Sequence, residues 1–188
     1  MALPPASGPR WRLPRPGRHK VVNPVVTPGL VPGTAQTLTY QVQPRDLVST
    51  LFPEAPEFAR KPAVLATGIL VALCEWPAMD ALRQVIRDDE DSLGTGISVS
   101  HEAPVSAGTT LTLTAQCVSV TGRASRWDVS AHDGIQTVAR GWVGFVVVRT
   151  AAFLQRHSLT PTTSSAVPNV IFQSTHKYTP QHRGLINA

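Results

Sequence analysis

Residues 62–82 read Pro-Ala-Val-Leu-Ala-Thr-Gly-Ile-Leu-Val-Ala-Leu-Cys-Glu-Trp-Pro-Ala-Met-Asp-Ala-Leu, an apolar run that carries two acids, Glu75 and Asp80. Its length suits a helix of about six turns. The apolar positions fall almost all round such a helix, so it needs cover on more than one side. The run is also long enough to span a bilayer, but Glu75, Pro77 and Asp80 interrupt it, and a buried core helix fits better. Pro77 cannot donate to the carbonyl of Leu73 and its ring clashes there, so the helix is expected to bend or end beside Glu75.

What surrounds the helix is strand. In 37–43, Leu38, Tyr40 and Val42 alternate with polar residues, the pattern of a half-buried strand. A Pro-interrupted loop over 44–61 contains Phe52, Phe58 and Lys61. The helix is expected over roughly 64–86, ended by the charged run 87–91. Four strands follow. Ile97, Val99 and His101 share a face in the first, roughly 94–102. Leu111, Leu113, Ala115 and Cys117 do so in the second, roughly 109–120. Trp127, Val129 and Ala131 align in the third, roughly 125–132. The fourth, roughly 136–149, becomes continuously apolar at 145–148, as a central strand does. Asp133-Gly134 signals a type I′ hairpin, and Gly122 serves the preceding turn. One strand, one long apolar helix and four antiparallel strands predict an α+β hotdog fold, a strongly curved sheet wrapped around the helix. Exposed sheet edges and a small core point to a homodimer.

The 188 residues carry a net charge of +5, which invites a nucleic-acid reading. The charge distribution argues against one. Residues 1–34 hold five basic residues and no acid, and residues 155–188 hold three and no acid, whereas the stretch between has nine basic and twelve acidic residues. The chain thus divides into a Pro/Arg-rich disordered leader (1–34), a mildly acidic hotdog domain (35–154) and a low-complexity tail (155–188). Cys74 and Cys117 lie within apolar patterns, form no disulfide framework and have no metal-ligand spacing, so a reduced, cytoplasmic setting is expected. Nothing in the spacing calls for a metal or a bound cofactor, a nucleic acid or a membrane.

Three residues stand out for chemistry. Thr67, just before Gly68, has a hydroxyl suited to capping the helix N-terminus or to attacking a substrate. Glu75 sits among apolar neighbours, where a carboxylate must be paired, protonated or used. It lies eight residues beyond Thr67, about 12 Å along a straight helix and about 80° around it. Direct contact therefore requires Thr67 on the preceding loop, or a partner subunit to complete the site. His101 is either a structural histidine on an inward face or, joined with an acid, one half of an acid/base pair. Gly94 opens a strand and would let a ligand approach the backbone, whose N–H could polarise a carbonyl.

The segments Phe52-Pro-Glu-Ala-Pro-Glu-Phe58, Ala66-Thr-Gly68, Glu75-Trp76, Ser92-Leu-Gly-Thr95, Val99-Ser-His101 and Ser130-Ala-His-Asp-Gly134 together resemble the fluoroacetyl-CoA thioesterase family over about residues 37–150. The resemblance implies a dimeric hotdog enzyme that hydrolyses an acyl-CoA thioester to a carboxylic acid and CoA, without a cofactor. It places Thr67, Glu75 and His101 at the family's catalytic threonine, glutamate and histidine. It places Gly94 at the glycine whose amide serves the thioester carbonyl, and Phe58 and Lys61 at the substrate. Either Thr67 or Glu75 would attack, with His101 as base. The chain departs from the family's prototype at Lys61, where a lid phenylalanine stands, and at 142–145, where Trp-Val-Gly-Phe replaces a polar stretch. The second change implies altered CoA contacts or a greasier acyl pocket. The acyl group is left open, and a non-catalytic acyl-CoA or small-ligand binding protein on the same fold is the competing reading.

Overall fold

The computed structural model describes residues 29–160, so most of the leader and tail assignments fall outside the described residues. Strands β1 (Ala35–Gln41), β2 (Glu90–His101), β3 (Thr110–Thr121), β4 (Ala124–His132) and β5 (Thr137–Arg149) form one antiparallel sheet in the order β1-β3-β4-β5-β2. Helices α1 (Val48–Leu51) and α2 (Pro56–Ala59) lie in the connection before helix α3 (Thr67–Arg83), and α4 (Thr150–His157) follows β5. The sheet wraps α3. Leu70, Leu73, Cys74, Pro77, Ala78, Ala81 and Leu82 of the helix are buried with Leu111, Leu113, Trp127, Val143 and Phe145 of the strands. This is the hotdog arrangement that the apolar helix demands.

Local differences from the sequence expectation have physical causes. Helix α3 starts at Thr67 rather than 64 because 65 and 66 are tied to other backbone: Leu65 N–H donates to Val105 O (2.7 Å) and Ala66 N–H to Asp46 O (2.9 Å). It neither ends at Pro77 nor stops beside Glu75 but runs on to Arg83, its proline buried in the core. The charged run is not merely a helix stop. Glu90 begins β2 and is buried, accepting from Arg123 Nη2 (2.6 Å) and from Arg87 N–H (3.2 Å). The β4–β5 hairpin is not type I′, which needs positive φ at two successive residues; Gly134 alone has it, at 96°. Asp133 N–H donates to Gln136 O, while the Gln136 N–H turns to Asp133 Oδ1 (2.8 Å).

Strand β2 is an edge of the sheet, and Ile97 at its middle is 42% exposed. Its inner neighbour β5 packs close because Gly141 has no side chain: a Cβ there would stand 2.0 Å from the Ser98 carbonyl oxygen. No described helix is long and apolar enough to cross a membrane.

Candidate functional site

The turn leading into α3 is fixed first. Asp46 is buried and accepts from Tyr40 Oη (2.6 Å) and from Gln43 N–H (2.7 Å), while its own carbonyl takes the Ala66 N–H. Burial and the Asp46 carboxylate push the Tyr40 hydroxyl up to about 12, so it stays a donor. Sequence reasoning missed Asp46. The available signal was Gln43-Pro-Arg-Asp46, an acid three residues after a cap position.

Thr67 is the first residue of α3, and the cap position is Ala66, with no side-chain capping bond. The Thr67 hydroxyl is therefore not spent on the helix end. Its Oγ1 lies 3.0 Å from His101 Nδ1, across from the end of β2. His101 Nε2 is buried without a hydrogen-bond partner among the described residues. With Nε2 carrying the ring proton, Nδ1 accepts from the threonine, the arrangement of a hydroxyl nucleophile and its base. Thr67 and His101 line one cavity of about 380 Å³ with Lys61, Val48, Leu65 and Pro104. The Lys61 side chain makes no hydrogen bond or ion pair among the described residues, whereas Glu102, also at this cavity, is held by Arg140 and Ser100.

Glu75 stands elsewhere. It is half-buried, and burial raises its carboxyl above the usual range. It makes no hydrogen bond or ion pair among the described residues, so the structure gives it no partner that would mark it as a satisfied buried acid. Its Oε1 lies against the backbone of Gly94, where a Cβ would come within 3.0 Å. Gly94 and His101 are separated by seven residues of β2, roughly 20 Å of strand. Thr67 and Glu75 are separated by about 12 Å of helix. The structure thus joins Thr67 to His101 and Glu75 to Gly94 but makes no Glu75–His101 contact within one chain.

The remaining sequence candidates divide likewise. Lys61 is at the cavity. Phe58 is not among its lining residues and packs edge-on against Phe52, with centroids 4.9 Å apart. In the 142–145 stretch, Val143 and Phe145 are core residues and Trp142 lies under Arg126, 4.2 Å from its guanidinium carbon. None of the four lines the cavity, so the change there alters core and outer face rather than this pocket. Among the described residues no three His, Cys, Asp or Glu side chains gather as a metal site.

Residues 46–151 match the family described as fluoroacetyl-CoA-specific thioesterase. A fluoroacetyl-CoA thioesterase from Streptantibioticus cattleyicolor is 43% identical over 113 residues, 60% of this chain and 81% of that one. A crystal structure of a point mutant of the fluoroacetyl-CoA-specific thioesterase FlK is 39% identical with a TM-score of 0.67, covering 69% of this chain and 96% of that one. A FlK mutant complex with fluoroacetate and CoA is 40% identical, with a TM-score of 0.64, covering 66% of this chain and 99% of that one. A Thermus thermophilus thioesterase-superfamily protein, 18% identical with a TM-score of 0.60 over 68% of this chain and 93% of its own, shares the fold.

Proposed function

The chain belongs to the fluoroacetyl-CoA-specific thioesterase family, and on that premise we propose that Thr67, His101 and Glu75 carry its hydrolysis of an acyl-CoA thioester to a carboxylic acid and CoA. The observation that supports the assignment is the 3.0 Å contact between Thr67 Oγ1 and His101 Nδ1 in a shared cavity. Thr67 attacks the thioester carbon as its proton passes to His101. The tetrahedral oxyanion collapses, the carbon–sulfur bond breaks, and the CoA sulfur leaves with the proton. Water then attacks the threonyl ester as its proton passes to His101, the bond from the acyl carbon to Thr67 Oγ1 breaks, His101 returns the proton to that oxygen, and the acid leaves. The backbone N–H of Gly94 is the donor assigned to the carbonyl oxygen.

Glu75 joins this site across a two-fold axis. If the β2 edges of two copies pair antiparallel with Gly94 opposite the partner's His101, the axis passes near Ile97, the exposed apolar residue at the middle of that edge. Each Glu75–Gly94 end then meets the Thr67–His101 end of the other copy. The carboxylate orients the ring and stabilises the imidazolium that forms on proton transfer, an interaction strengthened by its partial removal from water. A homodimer is thus part of the catalytic proposal. The two free, buried cysteines suit a reduced, cytoplasmic setting.

The substrate preference follows the cavity. Lys61 brings an unpaired cation where the family's prototype has an apolar lid, so acyl groups beyond fluoroacetyl belong in the test. Purified protein is mixed with acyl-CoAs of graded length, fluoroacetyl-CoA and acyl groups ending in a carboxylate, and free thiol release is followed. Turnover that is lost in Thr67→Ala is expected. Calorimetric binding of acyl-CoA with no turnover of any member would instead select the non-catalytic binding protein.

A further inference from the structure

A second cavity, of about 340 Å³, lies where β5 runs into α4. Its lining brings together three arginines, Arg123, Arg149 and Arg156, beside Val147, Val148 and Phe153, and includes no acidic side chain. Arg123 is fixed, donating from Nε to Val147 O (2.7 Å) and from Nη2 to Glu90 Oε1 (2.6 Å). The second oxygen of Glu90 accepts the Arg87 N–H, and no ion pair joins Glu90 to Arg149 or Arg156. The side chains of Arg149 and Arg156 make no hydrogen bond or ion pair among the described residues. Three guanidinium groups line one hollow, two of them without an ion-pair partner even though β2 brings Glu90 and Asp91 alongside β5, and a multiply charged anion would pair with them. The planar forks of arginine match phosphate oxygens.

The position relative to the reacting centre narrows the ligand. Phe145 of β5 pairs with Gly94, and Arg149 lies four residues further along the same strand, about 13 Å away at strand rise. That span is within reach of an extended pantetheine arm. Arg156 falls beyond the residues 46–151 that match the family.

We propose that the Arg123–Arg149–Arg156 cavity binds the phosphate groups at the nucleotide end of the acyl-CoA substrate. The inference rests on the thioesterase reading, and its test separates the two. Wild type, Arg149→Glu, Arg156→Glu and the milder pair Arg149→Gln/Arg156→Gln are compared on an acyl-CoA and on the same acyl group carried by pantetheine, which lacks the nucleotide. The expected result is a KM for the acyl-CoA raised at least ~10-fold by either charge reversal, with the kinetics on acyl-pantetheine unmoved. Added salt should raise the wild-type KM for acyl-CoA and have little effect on the variants. Equal changes on both substrates, or none on either, overturn the assignment. So does a free adenine nucleotide that alters acyl-pantetheine turnover through these arginines, because that would make the cavity an effector site. If no acyl-CoA is hydrolysed at all, the enzymatic reading fails separately. Calorimetric titration with CoA then decides the cavity: binding weakened by the arginine substitutions upholds it, and binding indifferent to them removes it.

Discussion

Thr67→Ala separates a nucleophile from a helix cap, because the two roles predict opposite pairs of outcomes. A threonine that capped α3 would cost about 0.5–2 kcal/mol on truncation. The structure removes that term, since Ala66 holds the cap position and the Thr67 side chain makes no capping bond. What alanine loses is one hydrogen bond at an exposed side chain, offset by its better helix propensity, up to about 0.7 kcal/mol. The net change in stability should be within about 0.5 kcal/mol of zero, a Tm shift of at most a few degrees. Activity should respond very differently. Loss of the hydroxyl that His101 deprotonates removes a step typically worth about 10²–10⁴ in rate, or roughly 3–5 kcal/mol of transition-state stabilisation. The assay is thiol release under saturating acyl-CoA beside a thermal melt of the same sample. Thr67→Ser, which keeps the hydroxyl, should retain most of the turnover. A clear fall in Tm with turnover intact would refute the reasoning and return Thr67 to a structural role.

Three other outcomes follow from the same geometry. Burial raises the Glu75 carboxyl, so folding favours its protonated form and the wild type loses stability as pH rises past the ordinary carboxylate range. In a monomeric variant, where no partner ring faces the carboxylate, Glu75→Gln should therefore melt above its parent at neutral pH, with the gap closing below about pH 4 in a pH series of melts. Gly94→Ala places a Cβ 3.0 Å from Glu75 Oε1 and must displace the carboxylate by a few tenths of an ångström. It should lower kcat about 10- to 100-fold with the far-UV spectrum unchanged, as steady-state kinetics and circular dichroism would show. Ile97→Glu puts a charge at the middle of the β2 edge; sedimentation should show a monomer, and thiol release should fall with it.

The fold was legible because its strongest signals were periodic. An apolar helix and four alternating strands leave few ways to bury the helix, and Leu111, Leu113, Trp127 and Val129 all face inward as their spacing requires. The helix start was not legible, because the donors that hold Leu65 and Ala66 out of the helix find acceptors at Val105 and Asp46, remote in sequence. Pro77 misled in the same way: local sterics argue for a break, and burial of the surrounding helix face overrides them. At the site, residue types and order pointed to Thr67, Glu75 and His101, but sequence spacing carries no distances. The eight-residue gap on α3 already hinted that Glu75 could not reach Thr67 within one helix, and the structure puts it against Gly94 instead. Arg156 gave no sequence signal: Arg149 is only seven residues away, but Arg123 comes from the β3–β4 turn, remote in sequence.

Complementation between two dead variants tests the two-chain site most directly. Thr67→Ala and Glu75→Gln are each purified and assayed, then co-expressed or mixed under subunit exchange. In a random mixture half of the dimers are hybrid, and each hybrid holds one site with intact Thr67, His101 and opposing Glu75. Thiol release should return to about a quarter of the wild-type rate per subunit. A mixture no more active than its two parents would mean that no intact site arises across the two-fold axis, and would contradict the account.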